Sequence, residues 1–162
     1  MLRISLILCG FILSIYSCKE KYNDPLRGYI IDLKGTNIIQ NNLDPVNLVI
    51  SFDGTCSGCI IEFIEFIIEW NRDKLTDIPC FIIVMDQDLY HVQYLLDEFE
   101  IQLTNNQLMS ADSTYTFLKN NSKINDFWNL LLIDNDKAVI TSGNPFGHTE
   151  VYDIYIQLNL LR

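Results

Sequence analysis

Cys56-Ser57-Gly58-Cys59 carries the clearest chemistry in this chain: two thiols separated by two residues. The pair follows an apolar strand-like run, Val46 to Phe52, and precedes a long apolar helix-like run, Ile60 to Trp70. A strand that delivers such a pair onto a helix N-terminus is suited to thiol–disulfide exchange, because unpaired N–H groups and the positive end of the helix dipole favour a thiolate. Cys56, at or beside the N-cap, is then the attacking thiol, and Cys59, one turn deeper, is the resolving thiol that closes a Cys56–Cys59 disulfide. Ser57 and Gly58 are small and uncharged, and no histidine lies between the cysteines, which leans toward a reductant or isomerase. Glu62 lies three residues after Cys59, on the same side of a helix. It is read either as a proton carrier for the resolving thiol or as one of a solvated stripe with Glu65, Glu69 and Arg72.

Metal binding is the second class of chemistry open to two cysteines. Structural zinc takes four ligands, and neither histidine, His91 nor His148, has ligand-like spacing to another donor. No metal and no cofactor are therefore expected. Cys80 lies in the continuous apolar run Pro79 to Met85 and reads as a small buried hydrophobe.

The elements that must hold the pair can be read from periodicity. Short strands are expected at 28–33, 46–52, 79–85, 108–109, 129–133 and 138–141, and helices at 57–73, 89–99 and 149–160. A helical turn capped by Ser113 is expected at 113–118. Asp134-Asn135-Asp136 is hairpin chemistry. The first helix is apolar apart from its one polar stripe, so burial on several sides is predicted. Strands alternating with helices, closed by a hairpin and a last helix, give an α/β domain: a central mixed sheet covered on both faces.

The chain has 162 residues and a formal net charge of −10, which argues against nucleic acid as a partner. Arg3 followed by the apolar run Ile4 to Ile15 has the proportions of an export signal and is short for a membrane span. That run ends in Ile15-Tyr16-Ser17-Cys18, which resembles a bacterial lipobox. The resemblance implies cleavage before Cys18, acylation of Cys18, and attachment to a membrane surface by lipid. Cys9 would leave with the signal. The expected organisation is a signal peptide at 1–17, a tether at 18–27 and one domain at 28–162, held in a bacterial cell envelope outside the cytoplasm. Disulfides persist in such a compartment.

Val46 to Trp70, the strand Phe81 to Met85, and the hairpin Leu131 to Lys137 together resemble a thioredoxin-like domain. The resemblance is nearest to the TlpA/ResA type of membrane-anchored thiol–disulfide oxidoreductase, related to the redoxins, and covers most of residues 46–160. Cys56, Cys59 and Glu62 match that type's C-x-x-C-x-x-E in turn, with Lys137 where its hairpin carries glycine. The resemblance implies a three-layer α/β/α fold, Glu62 as a catalytic proton carrier, and a protein disulfide, protein dithiol or electron-donor protein as partner. The chain departs from the pattern in one respect that bears on substrate. No proline lies between Pro79 and Pro145, and Trp128 or Asn129 stands where thioredoxin-like enzymes carry a cis-proline facing the cysteines. That departure keeps a second reading open, a non-catalytic lipoprotein domain whose cysteines form a structural disulfide or serve a binding module.

Overall fold

The computed structural model describes residues 23–36, 43–73, 75, 77–124 and 128–160. The expected signal segment 1–17, with Cys9, and the expected lipidation residue Cys18 lie outside the described residues. Along the chain run β1 (Val46–Asp53), α1 (Ser57–Arg72), β2 (Cys80–Met85), α2 (Tyr90–Glu98), β3 (Gln107–Ala111), α3 (Thr116–Asn120), β4 (Trp128–Asp134), β5 (Val139–Ser142) and α4 (Thr149–Leu160). Among the described residues no helix is long and apolar enough to cross a membrane.

The aliphatic runs become the middle of one sheet, in the order β3-β2-β1-β4-β5. β1 pairs in parallel with β2, and β2 with β3, whereas β4 is antiparallel to both β1 and β5. The sheet is therefore mixed, as the element order predicts. β1 is buried from Val46 to Phe52 because it is central and covered on both faces.

Strand pleating divides the apolar residues between two cores. Leu48, Ile50 and Phe52 point to the face carrying α1, α2 and α4, where Phe63, Ile67, Trp70, Val92, Leu96 and Tyr155 meet them. Val49, Ile83 and Ile133 point to the other face, covered by Ile31, Leu33, Phe117 and Ile124. The result is a three-layer α/β/α fold whose second helical layer is thin, a five-residue α3 and an extended N-terminal segment.

Four local features differ from the sequence expectation. Residues 28–33 make an isolated bridge, Ile30 to Ala138, rather than a full strand, held by Gly28 N–H to Val139 O (2.7 Å) and Ile31 N–H to Lys137 O (3.0 Å). α3 is not capped by Ser113. The buried carboxylate of Asp112 accepts the N–H groups of Thr116 (2.9 Å) and Phe117 (2.8 Å) instead, with Tyr115 in the left-handed region at φ 55°. α1 buries Ile60, Phe63, Ile64, Phe66, Ile67 and Trp70 but leaves Ile61 and Ile68 exposed, so its apolar surface is not covered all round. The β4–β5 hairpin forms as expected, but Lys137 holds a φ of 66°, a conformation that favours glycine.

Candidate active site

β1 ends at Asp53, and a two-residue turn, Gly54-Thr55, carries the chain to Cys56. Asp53 shapes this turn. Its carboxylate accepts Thr55 N–H at 2.8 Å and Thr55 Oγ1–H at 2.7 Å, and its carbonyl accepts Cys56 N–H at 3.2 Å. Gly54 N–H donates to Met85 O at 3.2 Å, which ties the turn to the end of β2. A Cβ on Gly54 would stand 2.7 Å from both Val84 Cγ1 and Asp86 Cβ, so this approach requires glycine.

Cys56 is the N-cap of α1, with extended backbone (φ −90°, ψ 105°). Its sulfur accepts the N–H of Cys59 at 3.3 Å, in the place where a serine or aspartate oxygen commonly sits. The Cys59 Sγ–H donates to Cys56 Sγ at 2.6 Å. Both cysteines are free thiols and half-buried. The hydrogen bond from the Cys59 thiol, followed by that from the Cys59 backbone N–H, holds the Cys56 thiol below its ordinary pKa; burial and the Asp53 charge oppose this. Cys59 is pushed up to about 12, by burial first, then by donating to Cys56, then by the charges of Cys56, Asp53 and Glu62. The two thiols are thus pushed in opposite directions, Cys56 toward easier ionisation and Cys59 toward keeping its proton.

Glu62 is exposed on the outer side of α1, one turn beyond Cys59. It lines a hollow of about 390 Å³ with Glu65, Glu69, Arg72, Trp128 and Asn144. Trp128 opens β4 in register with Phe52, beside the end of β1 that carries the cysteines. Its ring packs 5.9 Å from Phe52 and 6.4 Å from Phe66, and Asn129 donates to Ser51 Oγ at 3.2 Å. The structure thus brings Cys56 and Cys59 into contact, sets Glu62 at the rim, and puts the Trp128 ring against Phe52 near the end of β1. Among the described residues no three His, Cys, Asp or Glu side chains come together as a metal site. Cys80 is fully buried on β2, and burial pushes its thiol up.

Asp53, Asp86 and Tyr115 also belong to this neighbourhood. Burial raises the Tyr115 hydroxyl, and the charges of Asp53 and Asp86 raise it further. Asp53 ends β1, Asp86 follows β2 and Tyr115 lies beyond β3, and parallel strands deliver their C-terminal loops to one end of the sheet. The usable sequence signal was an aspartate directly after an apolar strand and three residues before a cysteine.

No protein-family model matches the chain, and no curated protein matches it by sequence. Solved structures do. The chain is similar to the thioredoxin domain of a thiol-disulfide oxidoreductase from Bacteroides vulgatus, at 18% identity and a TM-score of 0.56, covering 82% of this chain and 96% of that one. A thiol:disulfide interchange protein from Bacteroides sp. matches at 20% identity and a TM-score of 0.50, covering 80% and 81%. A thioredoxin-like protein from Parabacteroides distasonis matches at 15% identity and a TM-score of 0.50, covering 70% and 83%.

Proposed function

We propose that this chain, whose fold is thioredoxin-like, is a thiol–disulfide oxidoreductase working through the Cys56–Cys59 couple. The observation that carries the reading is the 2.6 Å hydrogen bond from the Cys59 thiol to a Cys56 sulfur at the N-cap of α1. Structural neighbours described as a thiol-disulfide oxidoreductase and an interchange protein support it.

In the reducing direction the Cys56 thiolate attacks one sulfur of a substrate disulfide. That S–S bond breaks, a Cys56–substrate disulfide forms, and the departing sulfur takes a proton. Cys59 then loses its proton and attacks Cys56 Sγ. The Cys56–Cys59 disulfide forms, and the second substrate sulfur leaves as a thiol once protonated. Two electrons pass to the substrate and the pair is oxidised. Because Cys59 is held as thiol, its proton needs an acceptor. Glu62, one turn away at the rim, is assigned that role.

Ser57 and Gly58 bring no charge that would stabilise a thiolate strongly, so the couple is assigned a reductase-like direction. The partner is a protein disulfide or an electron-donor protein. The N-terminal sequence pattern supports a lipid tether at Cys18, with the domain outside the cytoplasm and in reach of envelope proteins.

The test is reduction of insulin by the full chain with dithiothreitol as donor. Cys56→Ser should bring the rate to that of dithiothreitol alone. Cys59→Ser should trap a mixed disulfide on Cys56, visible by mass spectrometry. Retained activity in Cys56→Ser would rule out the reading.

A further inference from the structure

A groove between α1 and α2 opens beside the reactive thiol, on the side away from Trp128. It encloses about 630 Å³, and Ile60, Ile61, Tyr94, Leu95 and Phe99 supply its apolar lining. Three of these are large side chains left in solvent: Ile61 is 52%, Tyr94 55% and Phe99 55% exposed. Single exposed apolar residues are ordinary, but a contiguous set facing a groove marks a contact surface. The groove comes up to the turn that carries the cysteine, since Thr55 and Ser57, the two neighbours of Cys56, also line it.

Its polar end is anionic. Asp86 lines the groove, close beside Gly54. His91, exposed on α2, stands at the lip. A ligand held here therefore presents apolar side chains to α1 and α2 and a cation to the Asp86 carboxylate. A ligand seated here that also exchanges with Cys56, whose two neighbours line the groove, must carry a sulfur close by.

We propose that this groove docks the segment of a partner polypeptide that flanks the cysteine exchanged with Cys56. That segment carries an aromatic or aliphatic side chain within a few residues of the cysteine and a lysine or arginine facing Asp86. The inference rests on the exchange function proposed above and names its substrate class. Exchange chemistry supplies the tether, through the mixed disulfide. The groove supplies choice: burial of one apolar side chain favours a matching partner, and an acidic residue in place of the cation is repelled.

Short peptides test this. The probe is a hexapeptide with a central cysteine, flanked by Phe and Lys and oxidised to its symmetrical disulfide; hydroxyethyl disulfide serves as a reference that fills no groove. The reduced full chain should reduce the Phe/Lys peptide about tenfold faster than its Phe→Ala form, and faster than its Lys→Glu form. In Ile61→Ser and Tyr94→Ser the peptide-to-reference rate ratio should fall several-fold. A peptide preference that is absent, or that survives both substitutions, overturns the proposal.

If neither hydroxyethyl disulfide nor any peptide is reduced, it is the exchange reading that fails, and binding decides the groove. The Cys56→Ser/Cys59→Ser protein is titrated with the Phe/Lys peptide carrying serine for cysteine, followed by amide chemical shifts. Saturable shifts at Ile61, Tyr94 and Phe99 support the groove. Shifts confined to Trp128 and Phe146, no shifts, or groove shifts that depend on protein concentration without peptide (a second copy as occupant) overturn it.

Discussion

At the scale of single residues, the site separates two chemically identical groups. Cys56 accepts hydrogen bonds from Cys59 twice, through sulfur and through backbone, while Cys59 loses solvent and faces Asp53, Glu62 and the Cys56 charge. Their protonation therefore diverges, which exchange chemistry requires: a nucleophile ready at once and a second thiol held until it is needed. Asp53 works against the first of these, because its charge disfavours the Cys56 thiolate. Asp53→Asn keeps an oxygen acceptor for the Thr55 donors but removes the charge. It should move the Cys56 alkylation profile to lower pH and raise the iodoacetamide rate a few-fold on the acid side of that profile. Mass spectrometry reads the rate at Cys56 alone; an unchanged or alkaline-shifted profile would remove Asp53 from the electrostatics of the site. The cysteine pair was legible in the sequence because its spacing is local. Asp53, Asp86 and Tyr115 were not, since their proximity is made by strand pairing between segments tens of residues apart.

At the scale of elements, apolar runs were reliable guides wherever a strand is covered on both faces. β1, β2 and β4 appear where continuous aliphatic stretches put them, because no other structure buries so many consecutive side chains. Ends and edges were less legible. Residues 28–33 read as a short strand yet lie at the margin of the hairpin and make one bridge. The start of α3 depends on Asp112, buried by tertiary packing, rather than on the adjacent Ser113. The β4–β5 turn shows local and global preference in conflict. Asp134 Oδ1 accepts the N–H groups of Asp136 and Ala138, both at 2.9 Å, which fixes the turn and holds Lys137 at φ 66°. A side chain in that region costs about 1 kcal/mol or more. Lys137→Gly should accordingly raise stability by about 1 kcal/mol, net of the extra freedom glycine brings to the unfolded chain. Urea denaturation would check this, and a loss of stability would mean that the Lys137 side chain contributes more than its backbone costs.

At the scale of the whole molecule, the two cores set how stability depends on pH, and Cys80 reports on it. Cys80 is fully enclosed between β1 and β3 with the larger core around it, and burial raises its pKa. In the unfolded chain the same thiol ionises near pH 8.5. A folded pKa above the unfolded one means that the native state keeps a proton the unfolded state gives up. The contribution is fully present below about pH 8.5 and is lost as pH rises toward the folded value. Cys59, pushed up to about 12, acts in the same direction, reduced by its contact with solvent. For Cys80 the limiting slope is about 1.4 kcal/mol per pH unit. Denaturation of the reduced protein between about pH 8 and 9, below the ordinary tyrosine value near 10, follows the thiols. Cys80→Ala should lower stability by about 1 kcal/mol at neutral pH, through the small cavity it leaves. It should also flatten the alkaline decline, so the two curves converge as pH rises. Because only a titrating buried thiol changes the slope while a cavity shifts the whole curve, parallel curves would show that Cys80 ionises as readily in the fold as outside it.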